Sequence, residues 1–443
     1  MLDIGYKNIL KVALPMMLSG FIQSIINITD AAFLGHYSQL AFNAAGGAGM
    51  WYITLYMLFV GLNDGSQILM AQKIGEQNNS GVAKVFHNNI VLLTISAILA
   101  TLFIQFAMPS ILHSMVTDPV LERAELRFLE IRGFALWPTI ITLSIQANYL
   151  AQGKSTLVMF TSLITAISNV FLAYCMVYGK FGFPEWGMEG AAIANTTAET
   201  LSMLFILGTL VYSRKTDLYK VWSRLKIDGK QLLENLKVGF PLCLQGLLAL
   251  SVWTVFFNWI EQMGKEDLSV SLNIRHIYFL AFVPIWGFAA ATKTYIAQYI
   301  GARELDKLPV IQRRIQLMTV LFLLVTFHGA VLYPEALISM INENEEFVQK
   351  SAVILRLVAG SIVLYAIVSV YFQTIGASGN TRVTFLVECL STFSYLFAAW
   401  LFIKQWHWDI TYVWLVEYVY FIVMGAASII YLKFFNWTKT ELA

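Results

Sequence analysis

The sequence predicts an all-α integral membrane protein: twelve transmembrane helices in two pseudo-symmetric six-helix lobes. Three observations carry that expectation. The 443 residues are 58% hydrophobic and only 13% charged, where soluble domains carry about 25% charged residues. Apolar runs of roughly twenty residues, long enough to cross a bilayer as a helix, recur along the whole chain. The third observation is internal repetition. Pro15 is answered by Pro241, Gly61 by Gly287, AQKIG at 71–75 by AQYIG at 297–301, and AQGKST at 151–156 by ASGNTR at 377–382, all at one offset of about 226 residues. Repeats of this kind are common in membrane proteins that carry solutes, with the path between the copies.

Taken in order, the first span, 9–34, contains Pro15 and closes on Asp30 ahead of Gly35. The second, 45–74, opens on AAGGAG and ends in AQKIG. The third, 84–108, stops at Pro109, and the fourth, 122–150, starts after Pro119; Gly and Pro punctuate helices because neither sustains them. The fifth, 155–178, follows the AQGK turn, and the sixth, 188–212, follows Pro184. The basic segment 213–230, SRKTDLYKVWSRLKIDGK, then separates the halves. The expected division is an N-lobe over 1–213, a cytoplasmic linker over 214–230 and a C-lobe over 231–443. In the second half, 232–260 repeats the first span, with Phe256 where the first copy has Asp30. Spans at 268–300 and 310–332 follow, the latter ended by Pro334. The acidic loop 335–346 precedes 347–376, and spans at 382–403 and 411–434 complete the set. With the N-terminus cytoplasmic, about 19 of the 29 Lys and Arg lie in or beside inner segments and about 7 outside, as the positive-inside rule requires. An even number of spans returns the C-terminus to the cytoplasm. Six spans per copy keep both copies in one orientation, so the axis relating them runs along the membrane normal.

Composition also excludes function classes. A net charge of +2 leaves no nucleic-acid footprint. Cys175, Cys243 and Cys389 lie in apolar runs and form no CxxC pair, which argues against disulfides and zinc. AAGGAG is followed by no GK[ST], so it is not a phosphate loop. Asp30 and Asp64 are isolated, and no histidine stands at catalytic spacing from an acid. A membrane-embedded enzyme needs such clusters; neither catalysis nor a cofactor is expected.

The intramembrane polar residues carry the functional expectation, because charge in hydrocarbon is costly and usually faces a bundle interior or a wet cavity. Gln23, Asn27 and Asp30 fall on or near one helix face at i, i+4 and i+7. Counted at ~1.5 Å per residue, Asp30 lies within about 10 Å of the outer end of its span. Asn169, Asn195, Thr196 and Glu199 reach a comparable depth, so a polar pocket in the outer half of the N-lobe is expected. Its proposed members are Asp30, Gln23, Asn169, Asn195 and Glu199, with Asn27 and Thr196 either joining it or gluing helices. Asp64 lies deeper, as a second proton stop, a gate or a structural acid. Burial disfavours the charged form of a carboxyl, which suits Asp30 to take up a proton. In the C-lobe, Arg275, Lys293 and Arg356 share the spans with Glu388 and Glu417. Depth pairs Arg275 or Arg356 with Glu417 and Lys293 with Glu388; the alternative is a path for an anionic substrate.

The order and spacing of these features resemble the multidrug and toxic compound extrusion (MATE) family of secondary transporters over nearly the whole chain. The residues that carry the resemblance are Pro15 with Asp30 and Gly35, the glycine-rich second span ending in AQKIGE, NYLAQGKST, Asn169, GMEGAAIANT, AQYIGA and GASGNTR. The resemblance implies two six-helix lobes in a V, exporting organic cations in exchange for protons or sodium ions. It implies a prokaryotic inner-membrane monomer whose partners are small organic cations and lipids, with no bound metal unless sodium sits at Asp30. It assigns the coupling cation to Asp30, with Gln23 and Asn169 as polar partners. The chain departs from some members at Ala173, at Leu248 to Leu250 and at Ser369 to Gln373, where those members carry acids. Coupling is therefore expected in the N-lobe. The C-lobe cations motivate an alternative, a flippase for lipid-linked oligosaccharides of the same superfamily.

Overall fold

A computed structural model describes residues 1–222, 225, 227–341 and 344–438, and within them every regular element is helical. Among the described residues eleven helices are long and apolar enough to cross a membrane, and a bent pair makes twelve when counted as one span. The first half comprises α1 (Tyr6–Tyr37), α2 (Gln39–Gly75), α3 (Asn79–Met115), the bent pair α4 (Pro119–Gly133) and α5 (Leu136–Ala151), α6 (Ser155–Tyr178) and α7 (Gly187–Tyr212). The second comprises α8 (Gly229–Glu261), α9 (Lys265–Gly301), α10 (Leu305–Phe327), α11 (Glu345–Ala377), α12 (Thr381–Gln405) and α13 (Ile410–Phe434).

All twelve expected spans are present, and several helices run a few residues past the expected ends because their caps lie beyond the apolar run. Ser38 accepts from the Ala41 N–H at 3.0 Å to start α2. Asp118 accepts from Val120 at 2.8 Å to start α4, and Pro119 occupies the first turn, where its missing N–H costs nothing. Asn344 caps α11 through Glu346 and Phe347. Gly179, at φ +64°, closes α6 in the left-handed conformation that glycine adopts freely.

Two spans differ from straight rods. The fourth bends by 46° between α4 and α5, where Phe134 and Ala135 donate to Ile131 and Arg132 across tight three-residue turns. The ninth ends at Phe327 rather than near 332, and two short helices, Gly329–Leu332 and Pro334–Ser339, follow it. The first copy loosens at the equivalent place, with a π-helical turn at Phe103–Ala107 ahead of Pro109. Proline cannot supply the N–H that the preceding turn needs: the first copy passes Pro109 through the π-helical turn, and the second stops at Tyr333 ahead of Pro334.

The chain forms two compact units, and they do not divide at 214–230. One contains Met1–Met17 with Leu244–Ala443, the other Leu18–Cys243. Each unit thus takes the opening segment of the other half, and the two cuts are again about 226 residues apart. Glycines explain the exchange. A Cβ on Gly61 of α2 would lie 2.4 Å from the amide nitrogen of Cys243 on α8, and Gly65 faces Gly239 just as closely. In the other unit Gly287 of α9 receives Met17 and the Ala13 carbonyl of α1 in the same way. Small residues let helix backbones touch in a membrane, where apolar burial alone does not drive association. The basic linker docks within the unit of the first half: His87 meets the Val221 carbonyl at 2.7 Å, the Asn88 side chain accepts from the Asp228 N–H at 3.0 Å, and Lys84 pairs with Asp228.

Candidate cation-coupling site

α1, α6 and α7 bring Asp30, Asn169 and Asn195 together. The Asn195 amide donates to Oδ2 of Asp30 at 2.8 Å and to its own helix at the Ala191 carbonyl, 3.1 Å away, which fixes its orientation. Oδ1 of Asp30 is buried with no hydrogen-bond partner. Asn169, fully buried, stands within hydrogen-bonding reach of the same carboxylate, although neither polar atom of its side chain makes a well-formed bond. Buried polar groups are nearly always satisfied in proteins. Here donor and acceptor capacity is held open around one carboxylate.

A residue that sequence reasoning missed completes the electrostatics. Arg132, at the end of α4 just before the bend, is 7% exposed. Its guanidinium bonds Oε1 of Glu199 at 2.8 Å and lies 4.0 Å over the ring of Tyr52. The other oxygen of Glu199 accepts from Thr139 at 2.8 Å and Tyr52 at 3.2 Å. Arg132 is also within electrostatic reach of Asp30, and its Nη1 is buried and unbonded. Glu199, expected as a possible second acid of the pocket, makes no bond to Asp30: Arg132 holds it and links it electrostatically to Asp30.

The remaining expected members divide. Gln23 donates to Asn27 at 3.3 Å, and both are exposed. Seven residues place Gln23 ~10 Å along the axis from Asp30, too far for contact, so the expected bond from Gln23 is replaced by one to its helical neighbour. Thr196 bonds the Ala192 carbonyl at 2.9 Å and reaches Ile131 at 3.5 Å, which ties α7 to the bend. Asp64 lies near Tyr56 and Cys243, and Tyr56 also faces Glu199.

In the second half the expected ion pairs give way to phenols. Glu417 accepts from Tyr278 at 2.8 Å and Tyr395 at 3.1 Å, not from Arg275 or Arg356. Arg356 instead pairs with Glu335 at 3.0 Å, and Arg275 lies 5.2 Å over the Phe257 ring. The hydroxyl of Tyr420 meets Glu388, where Lys293 was expected. A buried acid without a nearby cation takes the donors that pack against it, and these cores are rich in tyrosine. Arg275 and Arg356 are thus engaged separately and do not gather into an anion path. Phe256, the counterpart of Asp30, is core, 1% exposed. Among the described residues no three His, Cys, Asp or Glu side chains group as metal ligands.

The MatE family matches the chain twice, over residues 15–175 and 241–401, so the two matches repeat the internal offset of about 226 residues. The probable multidrug resistance protein NorM of Thermotoga maritima is 24% identical over 402 residues, covering 87% of this chain and 82% of its own. NorM of Synechocystis is 22% identical, covering 81% and 79%. Among solved structures, an outward-facing multidrug resistance MATE family transporter of the MOP superfamily aligns with TM-score 0.86 at 18% identity, over 96% of this chain and 94% of that one. A MOP superfamily transporter from Pyrococcus furiosus, described by a binding pocket of reverse polarity, aligns over the same shares with TM-score 0.86 at 19% identity. With the family matched in both halves of one helical repeat, the chain belongs to the MATE family of transporters.

Proposed function

We propose that this protein is a secondary active multidrug efflux antiporter, exporting organic cations in exchange for protons, with Asp30 as the switch. The observation that carries the reading is the charge balance around Asp30. Arg132 bonds Glu199 at 2.8 Å and lies within electrostatic reach of Asp30, so one guanidinium stands against two carboxylates and the partly buried group keeps a net negative charge. A proton or an organic cation removes that charge, and each excludes the other. Asn169 stands beside Asp30 with its amide uncommitted, able to donate to the carboxylate or, turned over, to accept from the protonated acid. When that proton leaves, the carboxylate attracts a cation strongly, because a low-dielectric pocket screens little. Sodium needs several oxygen ligands. Glu199 is already held by Arg132, Tyr52 and Thr139 and is not free to be one of them, which favours the proton.

The multidrug resistance relatives support export of many small molecules, and the negative charge at Asp30 selects cations among them. The Lys and Arg distribution supports an inner-membrane orientation with both termini cytoplasmic. Everted vesicles test the reading. Adding ethidium should dissipate a preformed proton gradient with the wild type and not with Asp30→Asn. Gradient loss that requires sodium and ignores pH contradicts it.

A further inference from the structure

The half that lacks a counterpart of Asp30 buries two acids of its own. Glu417 on α13 is 2% exposed and Glu388 on α12 is 3% exposed. The hydrogen bonds they accept come from tyrosines: Tyr278 at 2.8 Å and Tyr395 at 3.1 Å on Glu417, and Tyr420 on Glu388. The arrangement is reciprocal, since each acid takes a tyrosine from the other's helix. The Tyr395 and Tyr420 rings meet edge to face at 5.9 Å, and the Tyr278 hydroxyl lies 3.5 Å from Ser361 on α11. Thr392, one turn from both Glu388 and Tyr395 on α12, is 5% exposed, and its hydroxyl is buried with no partner.

The place of this cluster in the repeat is informative. At the offset of about 226 residues, Phe256 answers Asp30, Tyr278 answers Tyr52 and Tyr395 answers Asn169. Phe256 packs 5.3 Å from Tyr395 and 5.7 Å from Trp414. Glu417 therefore stands among the counterparts of the residues that surround Asp30 and Glu199. The second copy supplies its acid from the last span instead of the first.

The other titratable groups around the two acids are Tyr365 and Cys389. Of the charged groups on the packed helices, Arg275 is turned onto Phe257, His276 is exposed, Arg356 is paired with Glu335, and Lys293 on α9 does not act on either acid, which tyrosines alone engage. A phenol donates a hydrogen bond but brings no positive charge. An ionised carboxylate buried on such terms is costly, and a neutral acid is not. A carboxylic acid also uses the site fully: its O–H donates to one tyrosine oxygen while the other tyrosine donates to its carbonyl. We propose that Glu417, with Glu388 beside it, is a second proton-binding site, separate from Asp30 and lodged within the unit of the second half. The proposal goes beyond the assignment of coupling to Asp30 and does not depend on it.

Infrared spectroscopy of the purified full chain, with glutamate isotopically labelled at the side-chain carboxyl, tests it. At about pH 7, well above the ~4.3 of free glutamate, the wild type should show a protonated glutamic acid band. Glu417→Gln and Glu388→Gln should each remove part of that band, and Asp30→Asn should leave it intact. Tyr395→Phe keeps both acids but deletes one hydrogen bond, and should shift the band. It serves as the readout if the glutamine variants do not fold. No protonated glutamate band in the wild type, or a band that none of these cluster variants alters, overturns the proposal.

Discussion

Asp30→Asn keeps the shape of the side chain and an oxygen for the Asn195 amide, but removes the charge that proton and substrate share. The variant should reach the membrane at normal levels and lose gradient-driven export of ethidium, followed by efflux from loaded cells. Wild-type export with unchanged pH dependence would move the switch elsewhere. Arg132 makes a sharper prediction about stability. Removing one member of a buried ion pair typically costs about 3–5 kcal/mol, whereas replacing both is often close to neutral. Arg132→Met should therefore lower thermal stability markedly, and the double variant with Glu199→Gln should recover much of the loss, as read by detergent melting curves. A double variant no more stable than the single one contradicts the pairing. Asp30, Asn169 and Asn195 were legible in the sequence because each interrupts an apolar helix. Arg132 was not, because it sits in ERAELRFLEIRG, a charged stretch that reads as a solvated helix end. Its only signal was position: it shares a helix face with Phe128 and Leu129, which are buried with it.

At the scale of helices, the spans were legible because apolar length and Gly or Pro boundaries are local properties. The 46° bend between α4 and α5 was not read, although Gly133 and Pro138 flank it: Pro138 has no N–H for the Phe134 carbonyl, and tight turns at Phe134 and Ala135 replace the helical bonds. Nor were the tyrosine partners of Glu417, because 139 residues separate it from Tyr278. The contact of α2 with α8 offers a direct test. Gly61→Val would drive side-chain atoms into the backbone of Cys243, and overpacking of this kind costs about 1–3 kcal/mol or more. Its melting temperature should fall below that of Gly49→Val on the same helix, where a Cβ meets nothing within 4 Å. The linker offers a pH test. Lys84 and the backbone N–H of Lys230 hold the Asp228 carboxyl below its ordinary value. A depressed carboxyl stabilises above the unfolded value of ~3.9 and loses that contribution as pH falls through the folded value. Protease cleavage in the segment 214–230 should therefore rise on acidification toward pH ~3, and Asp228→Asn should raise it already at neutral pH.

At the scale of the whole molecule, the repeat was the most legible feature, and it organises what the structure adds. The same offset relates the four sequence echoes, the two family matches and the two cuts between units. The exchange of opening segments was not legible, because the basic linker is a clear boundary in composition while the glycine contacts that assign Met17 and Cys243 to their units are tertiary. The repeat also frames the central claim, that one half carries a carboxylate whose charge a proton and an organic cation satisfy in turn. The most direct measurement is proton release on substrate binding. Purified protein in weakly buffered detergent at near-neutral pH is mixed with tetraphenylphosphonium, and the pH change is followed with an indicator dye. The account predicts net proton release by the wild type, falling as pH rises past the point where Asp30 has already lost its proton, and none from Asp30→Asn. Equal release from Asp30→Asn, or binding by the wild type with no release at any pH, would contradict it.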